Sequence, residues 1–172
     1  MSRTYRSVRH TLAIIALTGM AAGCSAITET ETVEAADTYQ RWSAQMDHIP
    51  FLFHLPGGQV EAFDIHGRAW TETGSQAEAR DADRVEVYIG SFPGPSASLC
   101  EGKPAASALP ADTSKANVVS ALCDRARTVV SFSDQARPRV LAARPTYIAR
   151  TRHLLLNGIW RSVAQEPDPK PY

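Results

Sequence analysis

The first residues of the chain read as a segment that takes no part in the fold. MSRTYRSVRH carries Arg3, Arg6 and Arg9 and no acid, and TLAIIALTGMAAG follows as an apolar run that shrinks into small side chains. A basic start, a short apolar run and then small residues make up the layout of a secretory signal. The run is shorter than the ~20 apolar residues a membrane-spanning helix needs, so cleavage is expected rather than a permanent span. Folding is left to the residues that follow, and a chain of 172 residues has room for one ordinary domain around a single core.

The apolar run closes on Ala21, Ala22, Gly23 and Cys24. This AAGC stretch resembles the lipobox of bacterial lipoprotein precursors. The resemblance implies that small side chains let the extended chain enter the lipoprotein signal peptidase, that the Cys24 thiol receives a diacylglyceryl group, and that Cys24 becomes the first mature residue. Ser25, being other than Asp, then implies sorting to the outer membrane, with the domain facing the periplasm. The partner so implied is the membrane itself, reached through acyl chains on Cys24, and several chains make such an attachment stable where one would not. An ordinary secretory signal, cut after Ala22 or Ala26, is the alternative.

Apolar residues make up 44% of the chain and charged ones 21%, enough apolar content for a packed core and too little charge for disorder by composition. The net charge of zero hides a division. Residues 24–124 hold 6 basic and 15 acidic side chains (net −9), and residues 125–172 hold 9 basic and 3 acidic ones (net +6). From Arg125 to Arg152 there are seven arginines against the single acid Asp134. Arginine forks match phosphate and carboxylate groups, so Arg137, Arg139, Arg144, Arg150 and Arg152 are the candidate residues for an anionic envelope component or a protein partner. A solvated basic face balanced by the acidic half is the simpler reading. Nucleic acid is not expected outside the cytoplasm.

Along the exported part, residues 24–34 read as a solvated tether, with Thr28 and Glu31 at capping-box spacing before a helix. Residues 35–164 read as one globular domain, and QEPDPKPY, residues 165–172, as a proline-rich extended tail. Tyr39, Trp42, Met46 and Ile49 recur every three or four residues and predict a helix that Pro50 ends. FLFHL and QVEAFDIHG flank Pro56, Gly57 and Gly58 and predict a hairpin. RVEVYIG alternates as a half-buried strand. KANVVSALCDRA fits a helix that places Val118, Val119, Leu122, Cys123 and Ala126 together, capped by Asp112, Thr113 or Ser114. TVVSF reads as a strand, PTYIARTRHLLLNG as a helix with Pro145 at its start and Gly158 past its end, and IWRSV as a last strand. Together these elements predict an α+β fold, a small mixed sheet covered by two or three helices.

Cys100 and Cys123 enclose 22 residues rich in small residues and prolines, a connection that an exported protein gains by clipping with a disulfide. Pairing them leaves Cys24 as the odd cysteine for lipidation. Redox or metal chemistry would call for a close spacing such as C-x-x-C, which the sequence lacks. Convergence of His48, His54, His66 and the nearby Asp64 would suggest a zinc ion, but no H-E-x-x-H or comparable pair supports it. His153 beside Arg150 and Arg152 reads as solvated, and Trp42, Trp70 and Trp160 as core or boundary residues. No G-x-S-x-G or S-x-x-K arrangement is present, and no cofactor is expected. The function expected from the sequence is a non-catalytic, lipid-anchored binding or assembly accessory of the cell envelope. A periplasmic hydrolase and a subunit of an envelope or secretion assembly are the alternatives. An exposed apolar face on the helix bearing Tyr39 and Trp42 would favour the assembly subunit.

Overall fold

The computed structural model of the protein describes residues 27–30, 37–70, 81–90, 92, 94–101 and 115–164. The segment read as a signal, with Cys24, the connection holding Asp112, Thr113 and Ser114, and residues 165–172 lie outside the described residues. Six strands form one sheet: β1 (Ile27–Thr30), β2 (Phe51–His54), β3 (Val60–Phe63), β4 (Arg84–Ile89), β5 (Ala116–Asp124) and β6 (Arg127–Ala136). Their order is β1-β6-β5-β4-β2-β3. Neighbours are antiparallel except β2 and β4, which run parallel because the β2–β3 hairpin turns away to the sheet edge before the chain returns. With helices α1 (Thr38–Gln45), α2 (Pro138–Ala142) and α3 (Arg144–Ala164), and one disulfide, the fold is α+β.

The helix-side core follows from the sequence periodicities. On α1 and the 3₁₀ turn after it (Met46–His48), Trp42 and Met46 are buried four residues apart on one helical stripe, and Ile49, already in extended backbone, follows them into the core. On β4 the alternation sends Val85, Val87 and Ile89 into the same core as Phe51 and Phe53 of β2. Gly57 and Gly58 stand at φ 95° and 83° between β2 and β3, backbone that a residue with a Cβ adopts only under strain, so the hairpin turn needs these two glycines.

Several expectations are corrected. KANVVSALCDRA is the strand β5, not a helix. Its Val118 and Leu122 enter the helix-side core while Ala121 and Cys123 are buried on the opposite face. Burial on both faces gives a near-continuous apolar run, which mimics a helical stripe. IWRSV is the last part of α3, not a strand, and Gly158 lies buried inside that helix rather than beyond its end. Buried Ile148, Leu155 and Ile159 carry one apolar stripe past Gly158, and the ~1 kcal/mol cost of an interior glycine does not stop such a helix. Residues 27–30, read as tether and helix approach, pair with β6 as an edge strand. RVEVYI is buried on both faces instead of one. The covering piece is the 3₁₀ turn Ser96–Glu101, which lays Leu99 and Cys100 over Tyr88.

Candidate functional site

Charged groups are buried beneath that 3₁₀ turn. Arg84 is 0% exposed and Glu86 1%, and both stand on the face of β4 away from the helices. Arg84 Nε donates to Glu86 Oε1 at 2.6 Å. Its other nitrogens donate to the carbonyls of Ala82 at 3.1 Å, Arg125 at 2.8 Å and Cys100 at 2.8 Å. The second Glu86 oxygen pairs with His54 Nε2, because the parallel register sets Leu52 opposite Glu86 and His54 opposite Tyr88. The His54 ring stacks on Tyr88 with centroids 4.1 Å apart, and the Tyr88 hydroxyl donates to the Leu99 carbonyl at 3.0 Å. A buried carboxylate held by a guanidinium and an imidazole is stable only when such partners satisfy it. The arrangement ties β2, β4 and the β5–β6 turn to the 3₁₀ turn. Cys100 on that turn is bonded to Cys123 on β5, with Cα atoms 5.5 Å apart.

The histidines do not converge. His48 and His66 are exposed, and His54 belongs to the buried network. Asp64 closes a surface turn, accepting from the His66 and Arg68 amides and from Arg68 Nε. Desolvation pushes its carboxyl pKa up, but these hydrogen bonds and the Arg68 charge outweigh it and hold the group below its ordinary value. Among the described residues no three His, Cys, Asp or Glu side chains gather as metal ligands, and no helix is long and apolar enough to cross a membrane.

The arginine segment is not a single free surface. Arg144 pairs with Glu61 at 2.8 Å and lies over the Phe53 and Phe63 rings at 4.7 and 5.6 Å. Arg150 grips buried Asp134 with two nitrogens, at 2.9 and 3.2 Å. Arg152 bonds the Ser43 carbonyl and Asp47. Arg137 and Arg139 flank the start of α2 and are exposed. The oppositely charged parts of the chain thus meet inside one domain: Glu61 and Asp47 come from the acidic part, Arg144 and Arg152 from the basic part.

Sequence reasoning missed a groove between α1 and α3. Tyr39, Ala149, Arg152, His153, Leu156, Asn157 and Trp160 line an open concavity of about 430 Å³. Trp160, expected in the core or at its boundary, is 59% exposed, the one large apolar side chain so exposed among the described residues. Its ring meets the half-buried Tyr39 edge to face at 5.6 Å. Trp42, the other aromatic of α1, is fully buried, so the exposed apolar surface beside α1 belongs to α3. The available signal was a second ridge on α3, Ala149, His153, Leu156 and Trp160, also spaced by three and four. The strand reading of IWRSV hid it.

No family model, curated protein or solved structure matches this chain.

Proposed function

We propose that this chain is a lipid-anchored protein of the cell envelope, held to the membrane through acyl chains on Cys24 and acting without catalysis as a binding or assembly accessory that faces the periplasm. The observation that carries the reading is how the three cysteines divide. Cys100 and Cys123 are joined, a bond suited to an oxidising compartment. Cys24, the only cysteine left, ends the AAGC stretch behind a basic and apolar leader. Lipidation gives that remaining thiol a use. An anionic envelope component or protein as partner rests on Arg137 and Arg139, since Arg144, Arg150 and Arg152 are committed to carboxylates within the domain.

Fractionation with fatty-acid labelling tests the anchor. The wild-type protein is expected in the membrane fraction with incorporated label, and Cys24→Ser is expected to lose the label. A labelled Cys24→Ser protein, or a soluble unlabelled wild type, would overturn the reading. Crosslinking in intact cells, followed by identification of what co-purifies, tests the accessory role, for which a recurrent envelope partner is the expected result.

A further inference from the structure

We propose that the α1–α3 groove is a binding site for an acidic, proline-rich extended segment, and that residues 165–172 of this chain, QEPDPKPY, occupy it. The groove has the chemistry for such an occupant. Trp160 and Tyr39 offer aromatic faces to proline rings, the way aromatic-lined grooves read polyproline segments, whose preformed backbone loses little entropy on binding. The groove's cationic side is supplied by exposed Arg161, which follows Trp160, and by the imidazole of His153, while the Arg152 that lines the wall is already paired with Asp47. Asp47, bound to Arg152, is the one acid that the groove's ion pairs bring to it.

The tail is complementary in content and in length. Glu166 and Asp168 stand against the single base Lys170, and Pro167, Pro169 and Pro171 alternate with them. α3 ends at Ala164, four residues after Trp160 and twelve after Arg152, which is about 6 and 18 Å along the helix axis at 1.5 Å per residue. With two residues spent on a turn, the six that remain reach about 19 Å in polyproline conformation at 3.1 Å each. After a turn at Gln165 and Glu166 the tail therefore spans the groove from Trp160 back to Arg152 and His153. The direct connection to α3 holds it there at an effective concentration that a separate peptide would have to match. The proposal does not depend on lipidation of Cys24.

Trp160 fluorescence provides the test, because Trp42 is fully buried and Trp70 is half-buried, and Trp160→Phe isolates the contribution of Trp160. In the purified full chain in detergent, Trp160 is expected to be shielded from acrylamide. In a chain ended after Ala164, its quenching should rise and its emission move to longer wavelength. Glu166→Lys with Asp168→Lys should give the same change with the tail present. The free peptide of residues 165–172 should restore protection to the shortened chain at about millimolar concentration, the range a short flexible connection supplies. Equal quenching in the full and shortened chains overturns the proposal. Protection that fades on dilution would seat the tail in the groove of another copy and overturn the intramolecular form.

Discussion

On the helix side of the sheet, Phe51, Phe53 and Val87 meet Tyr147, Ile148 and Leu155, and apart from buried Asp134, which Arg150 holds, the polar atoms enclosed there are left over: the Trp42 indole N–H and the hydroxyls of Ser120, Tyr147 and Thr151, which have no hydrogen-bond partner. On the other side, Arg84, Glu86 and Tyr88 are buried just as deeply, but their charges and hydroxyl are bonded one to the next and closed over by a turn that a disulfide fixes. The helix face has long elements to cover it, so apolar area supplies its stability and a stray hydroxyl is tolerated. The opposite face has a six-residue 3₁₀ turn as its described cover over β4. It depends on directional bonds and a covalent clip. Removing a polar atom should therefore have opposite consequences on the two faces.

The largest effect is expected from Arg84→Met. It leaves Glu86 buried without its strongest partner, and breaking a buried pair in this way costs about 3–5 kcal/mol. Denaturant unfolding measures it. Replacing Arg84, Glu86 and His54 together by apolar residues of similar size should recover much of the loss, since an apolar replacement of a buried ion pair is often neutral. A single variant as stable as wild type would remove the distinction between the faces. Next is the clip: Cys100→Ser should lower stability by about 3 kcal/mol, read in the same unfolding experiment with wild type under reducing conditions as the comparison.

Legibility in the sequence divided along the same line. β4, the β2–β3 hairpin and α1 were readable because Val85, Val87 and Ile89 alternate, Gly57 and Gly58 mark a turn, and Trp42, Met46 and Ile49 keep a helical period. β5 was not, because a strand buried on both faces does not alternate. Its turn into β6, at Arg125 and Ala126, carries no Gly or Asn even though Arg125 adopts φ 56°. The pairs Arg144–Glu61 and Arg152–Asp47 join residues 83 and 105 positions apart, a distance at which only the fold itself decides partners, so a basic segment that looked free is largely neutralised. The disulfide was readable because it depends on cysteine count and compartment, not on knowing the elements. The groove was missed because it forms between two helices, one of which the glycine signal ends at Asn157, three residues short of Trp160.

Smaller effects sharpen the contrast from the helix side. Ser120→Ala and Thr151→Val remove hydroxyls that have no partner, so unfolding should show unchanged or slightly raised stability, within about 1 kcal/mol. A loss well beyond that would mean these hydroxyls are bonded after all. Tyr147 adds a pH dependence. Burial first, and then the Asp134 carboxylate, push its hydroxyl pKa above the ordinary value, against the opposing Arg150 charge. The folded chain thus keeps a proton that the unfolded chain releases above about pH 10. This contribution to stability is intact below that pH and declines as pH rises beyond it. Tyr147→Phe should lose that part of the decline, and comparing the two proteins by urea unfolding at about pH 9 and about pH 11 isolates it from the other tyrosines.

With Cys100 joined to Cys123, Cys24 is the remaining cysteine of the sequence, and mass spectrometry of the N-terminal peptide from membrane-derived protein tests its use most directly. A peptide that begins at Cys24 and carries the added mass of a diacylglyceryl group is the expected result. A peptide that begins at Gly23 or Ile27, as cleavage after Ala22 or Ala26 would give, or an unmodified Cys24, would contradict the anchor.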